Sequence, residues 1–327
     1  MTRNNLLAGL GLGLVAAVVF ASATTGPLLV RYILFFITSL PIALAGLGWG
    51  WMTAAIAGCL GFGIIAIAAG PTVALAFAMT QAAPVVILTY LSLLSRAAIQ
   101  PPGQASLSEA DAVEYYPPGR LIVWAAALAG ALSFATLLII GGDLEELRKA
   151  LGELIEKTIR GSLPDTAGQS LSNEEIKSLT DTALALLPAA TAISWMGSLL
   201  FNLWLAGRVT LASGQLARPW PDLAAIEFPR GTGLVLGVAL LGMSLTDYWA
   251  MAAASFAGTF FLAYVLLGLA IIHYTTRSRP WRPFALWVLY FCLIFVTGFG
   301  VLIALLGLAD AFVHLRARFA PPVTPST

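Results

Sequence analysis

Long apolar runs separated by short polar segments extend along almost the whole chain. In the longest run, residues 32–95, there are 64 consecutive positions without Asp, Glu, Lys or Arg. About 18 or more consecutive apolar residues predict a membrane-spanning helix, and this run is long enough for three. Breaks at charged residues, Pro and Gly predict an all-α, polytopic transmembrane helix bundle with nine spans, near residues 6–23, 28–47, 50–69, 71–95, 120–141, 183–207, 231–246, 248–273 and 283–312.

The last apolar run is too long for one span. As a single helix of 30 residues it would measure about 45 Å, against a hydrocarbon core of roughly 30 Å. The run therefore either tilts and protrudes or breaks near Gly298 and Gly300 into two short segments. A break of this kind would raise the number of spans from nine to ten and would place the C-terminus on the cytoplasmic side.

The first span also has features of a secretory signal peptide. Arg3 precedes the apolar residues 6–20, and the small residues 21–23 imitate a cleavage site. However, the chain becomes apolar again at Leu28, so that cleavage would leave only a few residues before the next span. We therefore favour a retained first span.

Charge is scarce and unevenly placed. Charged residues make up 10% of the chain, against roughly 25% in average soluble domains, and the formal net charge of +1 gives no reason to expect a nucleic-acid partner. Basic residues are in excess at the N-terminus and in the short loops 96–119, 208–230 and 274–282, which the positive-inside rule assigns to the cytoplasm. We expect a multi-pass protein of a bacterial inner membrane with one membrane domain, residues 1–319, and a disordered tail, residues 320–327.

The segment 142–182 is the only substantial polar piece, and the same rule places it outside. Leu144, Leu147 and Leu151 repeat at helical spacing among acidic and basic residues, which predicts an amphipathic helix. The sequence Ser-Asn-Glu-Glu from Ser172 has the pattern of a capping box, so a second helix is expected to begin there and to continue into the next span. This helix pair is either a lid over an outward-facing cavity or a hairpin packed on the membrane surface.

Few uncharged polar side chains lie inside the predicted spans, and several of them precede Pro41 or Pro84. A polar group in hydrocarbon must face a partner or a cavity, and proline leaves a backbone carbonyl without its helical partner. The same residues suit a small-molecule pocket or a well-packed bundle, because Ser and Thr also bond to their own helix. The candidate ligand-binding residues are Thr38, Ser39, Gln81, Ser194, Trp195 and Asn202.

No residue pattern typical of catalysis, metal binding or cofactor binding is apparent. The two histidines, His273 and His314, are far apart, and the two cysteines, Cys59 and Cys292, both lie in apolar segments. The sequence also lacks the phosphate-binding motif G-x-x-x-x-G-K-[ST], so the chain is not its own ATPase by that route. We expect a protein that is not an enzyme and needs no cofactor, with a lipid-modifying enzyme as the least favoured alternative.

The first span carries a face of small residues at helix-packing spacing. Gly9, Gly13 and Ala17 would let another helix backbone approach closely. The face serves either helix packing within this chain or docking of a separate membrane subunit.

Distinctive strings occur in the predicted cytoplasmic loops and near the C-terminus. They are Tyr-Tyr-Pro-Pro-Gly-Arg at 115–120, the exit of the sixth span from Asn202 to Arg208, and Gly-Leu-Ala-Asp at 307–310 followed by Arg316. Together with the order of spans, they make the chain resemble the family of predicted bacterial membrane proteins known as domain of unknown function 2232 (YybS-like). The resemblance covers residues 5–318.

That family is similar, at the level of fold, to the substrate-binding membrane subunits of energy-coupling-factor transporters, although this chain has more spans than they do. The similarity implies a small-molecule-binding transport component without its own ATPase, whose Gly9/Gly13/Ala17 face docks a membrane coupling subunit. The alternative is a non-transporting membrane scaffold or envelope-assembly factor. The expected partners are the lipid bilayer, a coupling subunit or a second copy of the chain, and a small-molecule ligand.

Overall fold

The computed structural model describes residues 2–98, 113–141, 144–162 and 172–313. Within these ranges the chain is almost entirely helical, with one pair of short antiparallel strands. In chain order the elements are α1 (Arg3–Ser22), α2 (Leu28–Ile37), α3 (Leu40–Trp49), α4 (Trp51–Ala69), α5 (Pro71–Phe77), a π-helical turn (Ala78–Ala82), α6 (Ala83–Leu93), β1 (Ser95–Ala97), β2 (Val113–Tyr115), α7 (Pro118–Gly141), α8 (Leu144–Ser162), α9 (Asn173–Ala212), a 3-10 turn (Leu223–Ala225), α10 (Thr232–Gly242), α11 (Asp247–Thr275), α12 (Arg282–Phe295) and α13 (Phe299–Val313).

Seven helical segments in the described part are long and apolar enough to cross a membrane. Two of them are composite, because α2 and α3 together form Leu28–Trp49 and α5 and α6 together form Pro71–Leu93. Three further apolar helices, α10, α12 and α13, are shorter. The prediction of a helical, multi-pass membrane protein is therefore confirmed, whereas the count of nine spans is not.

The chain divides into two compact units. The first unit consists of described residues within Met1–Ala125, Gly197–Arg230 and Ala263–Thr327, and the second lies within Ala126–Met196 and Gly231–Leu262. The helices α7, α9 and α11 contribute residues to both. The predicted single domain, residues 1–319, thus contains two centres of packing.

In the first unit, the small residues of α1 lie directly against α4. A Cβ atom on Gly13 would lie 2.6 Å from the carbonyl oxygen of Ala57, and one on Gly9 would lie 3.1 Å from that of Thr53. Ala17, on the same face, is buried. The Gly9/Gly13/Ala17 face is therefore covered by α4 of the same chain, and α1 is an integral part of the first unit.

Irregular turns interrupt two of the apolar segments of the first unit. The helix stops between α2 and α3, just before Pro41, and the π-helical turn Ala78–Ala82 comes just before Pro84. Proline has no backbone N–H to donate, and kinks and π-helical turns are usual consequences. These are the two places that the sequence marked by polar residues next to proline.

Several segments meet at one end of the first unit, here called the loop end. The hydroxyl of Tyr115, just before α7, donates a hydrogen bond to the carbonyl oxygen of Ala217, after α9, at 3.2 Å. Asp222, in the same loop as Ala217, forms an ion pair with Arg277, just after α11. Three loops that were predicted to share one side of the membrane therefore lie together, and the assignment of that side to the cytoplasm stays a prediction.

The second unit encloses the leucine face of the amphipathic helix α8. Leu144, Leu147 and Leu151 pack against buried side chains of α7, α9 and α11, namely Leu137, Leu184 and Met251. Outside this cluster, the guanidinium of Arg148 in α8 forms an ion pair with Asp181 of α9 at 3.1 Å. The predicted amphipathic helix is thus present, and its apolar face is occupied by its own unit.

The predicted capping box at the start of α9 is also present. The backbone N–H of Glu175 donates to the hydroxyl of Ser172 at 3.2 Å, and the backbone N–H of Ser172 donates to the Glu175 carboxylate at 2.8 Å. From this cap α9 runs without interruption to Ala212, so the second helix of the polar segment continues into the next span as expected.

The last apolar run is broken where the sequence indicated. The helix α12 ends at Phe295 and α13 begins at Phe299, with Gly298 between them at a φ of +83°. This left-handed conformation is readily adopted only by glycine. The predicted span 231–246, by contrast, is shorter in the structure, because α10 ends at Gly242.

Candidate ligand-binding site

The first unit contains an apolar cavity of about 300 Å³ at the loop end. Its wall combines the ends of α3 and α6, the beginning of α7, the second halves of α9 and α11, and the loop that follows α9. The lining residues are Leu47, Ser92, Pro118, Leu121, Ile122, Leu200, Leu203, Trp204, Gly207, Leu216, Arg218, Trp220, Pro221, Leu223, Ile226 and Leu266. Arg218 is the one charged residue among them.

The loop after α9 closes one side of this cavity because it is held in place by local contacts. The indole of Trp220 packs against α9 where Gly207 leaves room for it, since a Cβ on Gly207 would lie only 3.0 Å from the ring. The guanidinium of Arg208 lies 5.3 Å from the centre of the same ring, within cation–π range. The side chain of Asp222 then accepts a hydrogen bond from Ala224 N–H at 3.1 Å and begins the 3-10 turn.

The guanidinium of Arg218 is held by backbone carbonyls. Its Nη1 donates to the carbonyl oxygen of Ser92 at 2.7 Å and to that of Tyr116 at 3.3 Å. The ring of Tyr115 lies 5.3 Å from the guanidinium carbon. The loop after α9 is therefore attached to both the end of α6 and the approach to α7, which explains how residues so distant in sequence form one cavity.

Among the described residues, no acidic group forms an ion pair with Arg218. Its Nε is buried without a hydrogen-bond acceptor in that part of the chain. Burial lowers the pKa of Arg218 from its usual value, because removal from water disfavours the charged form. A guanidinium nevertheless stays protonated in proteins, so the apolar cavity carries a positive charge.

A second charged contact secures the same loop from outside the cavity. Asp222 and Arg277 form an ion pair in which both side chains are about half exposed. The hydrogen bond from Arg277 is the main reason why the pKa of Asp222 lies below its usual value. This pair connects the cavity loop to the segment between α11 and α12.

The polar residues predicted to bind a ligand do not line this cavity. Thr38 donates to the Leu34 carbonyl of its own helix at 2.8 Å, and Ser39 donates to the side-chain oxygen of Gln81 at 2.7 Å. All three side chains are buried in the first unit. They satisfy one another or their own backbone, which is the packing alternative that the sequence left open.

Asn202 has a similar packing position. Its side-chain amide donates to the carbonyl oxygen of Phe36 at 2.6 Å, and the hydroxyl of Ser198 donates to the same oxygen at 2.6 Å. The side-chain oxygen of Asn202 is buried without a partner among the described residues. Ser194 and Trp195 lie in the part of α9 that belongs to the second unit.

The sequence contained a signal for the cavity without identifying it. The strings around Tyr115 and from Asn202 to Arg208 are both next to it, and Gly119 packs against the backbone carbonyl of Glu227. In the sequence, Arg218 is one of the basic residues of the loop 208–230, and it indicates the cytoplasmic side but not a cavity. The predicted tail, residues 320–327, and the residues His314 and Arg316 lie outside the described residues.

Comparison with known proteins identifies a family but not a function. A family model described as "Predicted membrane protein (DUF2232)" matches residues 14–311. No curated protein and no solved structure matches the chain significantly.

Proposed function

We propose that this protein, which belongs to the DUF2232 family of predicted membrane proteins, binds a small amphipathic anion in the cavity at Arg218. The observation that carries this proposal is the guanidinium of Arg218, which lines an otherwise apolar cavity. Among the described residues it forms no ion pair, and its Nε has no acceptor. An acidic head group would supply the acceptor, and an apolar tail would occupy the remaining volume.

The energetics favour an anion over a neutral or cationic ligand. An anion would supply a counter-charge to the partly buried guanidinium of Arg218, and a hydrogen bond to a charged group contributes about 1.5–3 kcal/mol. A carboxylate or phosphate can accept two parallel hydrogen bonds from a guanidinium. Nη1 already serves two carbonyl groups, so Nη2 and Nε are the guanidinium nitrogens that remain for the ligand.

The size and composition of the cavity suit a small molecule with an apolar body. Its volume of about 300 Å³ is at the lower end of the usual range for ligand sites, which are mostly apolar with a few polar groups. A binding component of a transport system would have such a site within its helices and would take its energy from other subunits. We therefore propose binding as the first step of a transport function.

Three probes with the same apolar tail test the charge preference. Decanoate, decanol and decylamine would be titrated against the protein in lipid nanodiscs, with the melting temperature and native mass spectrometry as readouts. We expect decanoate to bind at least about tenfold more tightly than the other two, which corresponds to about 1.4 kcal/mol. Equal binding of all three probes would contradict the proposal.

Two variants assign any binding to the cavity. Arg218→Met should remove the preference for decanoate, whereas Arg96→Met removes an exposed charge at the same end that does not line the cavity and should leave the preference unchanged. Leu203→Trp adds volume at the cavity wall and should weaken all three probes while Arg218 is kept. If decanoate binds equally well to Arg218→Met and to the unmodified protein, the site lies elsewhere.

A further inference from the structure

The helix α13 packs closely on the last turns of α11. Gly268 has no space for a side chain because the carbonyl oxygen of Ile303 faces it, and Gly307 is closed in the same way by the carbonyl oxygen of Tyr264. Ile303 of α13 thus lies beside Gly268 of α11, and Gly307, one turn later in α13, lies beside Tyr264, one turn earlier in α11. The two helices are therefore antiparallel here. One turn before Ile303, Phe299 comes level with the last turn of α11.

The helix α12 lies beside that same turn. A hydrogen bond of 2.8 Å joins Nε2 of His273, in the last turn of α11, to the hydroxyl of Tyr290 in the middle of α12. Arg282, the first residue of α12, reaches the other ring nitrogen of His273 at 3.5 Å. The start and middle of α12 and the start of α13 are therefore all next to one end of α11.

The length of α12 and the turn after it agree with this placement. Fourteen residues form a helix of about 21 Å, shorter than a hydrocarbon core of roughly 30 Å, and α13 with 15 residues is similarly short. The two helices differ in direction, because α13 runs antiparallel along α11 whereas α12 stays beside the last turn of α11. In the turn, Val296 N–H donates to the Cys292 carbonyl at 2.9 Å and Phe299 N–H donates to the Val296 carbonyl at 3.1 Å. Satisfied backbone groups of this kind are what a turn within a membrane requires.

One face of α12 is an exposed aromatic stripe. Phe284, Trp287, Phe291 and Phe295 are all exposed, and the rings of Trp287 and Phe291 stack with centres 5.5 Å apart. Leu289, by contrast, is buried against the first unit. Trp side chains such as that of Trp287 concentrate near membrane–water interfaces, Phe side chains suit the adjoining hydrocarbon, and long basic side chains such as that of Arg282 extend to the head groups.

We propose that α12 does not cross the membrane. It enters only the leaflet on the side of the loop end, presents its aromatic stripe to the lipid of that leaflet, and returns so that α13 makes the next crossing. The segment before α12 and the end of α13 at Val313 are then on opposite sides of the membrane. This inference is independent of the proposed ligand.

Cysteine accessibility in intact cells tests the side assignment. Ser278→Cys and Thr324→Cys would be made separately in a background with Cys59→Ala and Cys292→Ala, and each would be labelled with an impermeant thiol reagent before and after permeabilisation. We expect one position to react only after permeabilisation and the other to react without it. If both positions react from the same side, then α12 and α13 both cross or neither does, and the proposal is wrong.

Depth measurements with spin labels locate α12 itself. Labels at Phe284→Cys and Phe295→Cys, in the same background and in liposomes, should both report positions in one leaflet. Labels at Trp51→Cys and Ile67→Cys, near the two ends of α4, calibrate the signal of a full crossing. A label at position 295 in the opposite leaflet would overturn the proposal even if the cysteine experiment agreed with it.

Discussion

The hydroxyl of Ser39 donates a hydrogen bond of 2.7 Å to the side-chain oxygen of Gln81, and both residues are buried. The contact joins the break between α2 and α3 to the π-helical turn before Pro84. Two irregular places in separate apolar segments are thereby connected by polar groups that have no access to water. The polar residues next to proline thus serve the packing of the first unit.

Replacing Ser39 by Ala should destabilise the protein. The side-chain oxygen of Gln81 would lose this donor while it stays buried, which costs about 1–3 kcal/mol. Unfolding by a denaturing detergent, followed by circular dichroism, measures the difference. Thr80→Ala is the matched control, since Thr80 bonds only to the Ala76 carbonyl of its own helix, and a loss of equal size there would argue against the contact.

The close approach of α1 to α4 predicts a large difference between two glycines of the same helix. Gly13→Ala would place a Cβ atom 2.6 Å from the Ala57 carbonyl oxygen and should cost about 1–3 kcal/mol through overpacking. Gly11→Ala is the control, because no atom lies within 4 Å of the Cβ position there. Melting temperatures in detergent would compare them, and similar values for both variants would contradict the packing.

The position of Gly207 beside Trp220 predicts that a small substitution weakens ligand binding in the cavity. In Gly207→Ala the new methyl group would meet the ring of Trp220 at 3.0 Å, so that the ring must move at the cavity wall. We expect decanoate to bind about three- to tenfold more weakly, equivalent to about 0.6–1.4 kcal/mol. Gly197→Ala, in the same helix but in open surroundings, should bind decanoate as the unmodified protein does.

The sequence predicted local features well because they depend on nearby residues. The cap of α9 at Ser172, the leucine face of α8 and the break at Gly298 all follow from spacing or from single residues. The cavity depends instead on Arg218 meeting Ser92, 126 positions away. Apolar periodicity has no information about such partners, since any loop on the same side of the membrane could have met α6.

The polar residues inside the spans show a different limit of prediction from sequence. Both a ligand and a neighbouring helix can satisfy a buried hydroxyl or amide, so residue type alone does not separate a pocket from packing. Thr38 bonds to its own helix and Asn202 to the Phe36 carbonyl, and only the three-dimensional arrangement shows this. For Arg218 the difficulty was different. As one of several basic residues in the loop 208–230, it indicated the side of the membrane but not that it would line a cavity.

The ion pair between Asp222 and Arg277 predicts how stability depends on pH. The hydrogen bond from Arg277 lowers the pKa of Asp222 below its usual value of 3.8. A carboxylate whose pKa is lower in the folded than in the unfolded state contributes stability above the unfolded value. That contribution is lost as the pH falls through the lower, folded value, because Asp222 then becomes protonated and its charge disappears.

Asp222→Asn removes this charge and keeps a side-chain oxygen that can accept from Ala224 N–H. Because the pair is about half exposed, we expect the variant to lose less than about 1 kcal/mol at neutral pH. The difference in melting temperature from the unmodified protein should stay constant from neutral pH down to about pH 5, which is well above the ordinary pKa of Asp. At pH values below the lowered pKa of Asp222, this difference should vanish. A difference that had already disappeared at pH 5 would mean that the pKa of Asp222 is raised, and the ion pair would then not hold the cavity loop. Glu114→Gln, which breaks the exposed pair with Arg96 at the same end, controls for general effects of removing an acidic residue.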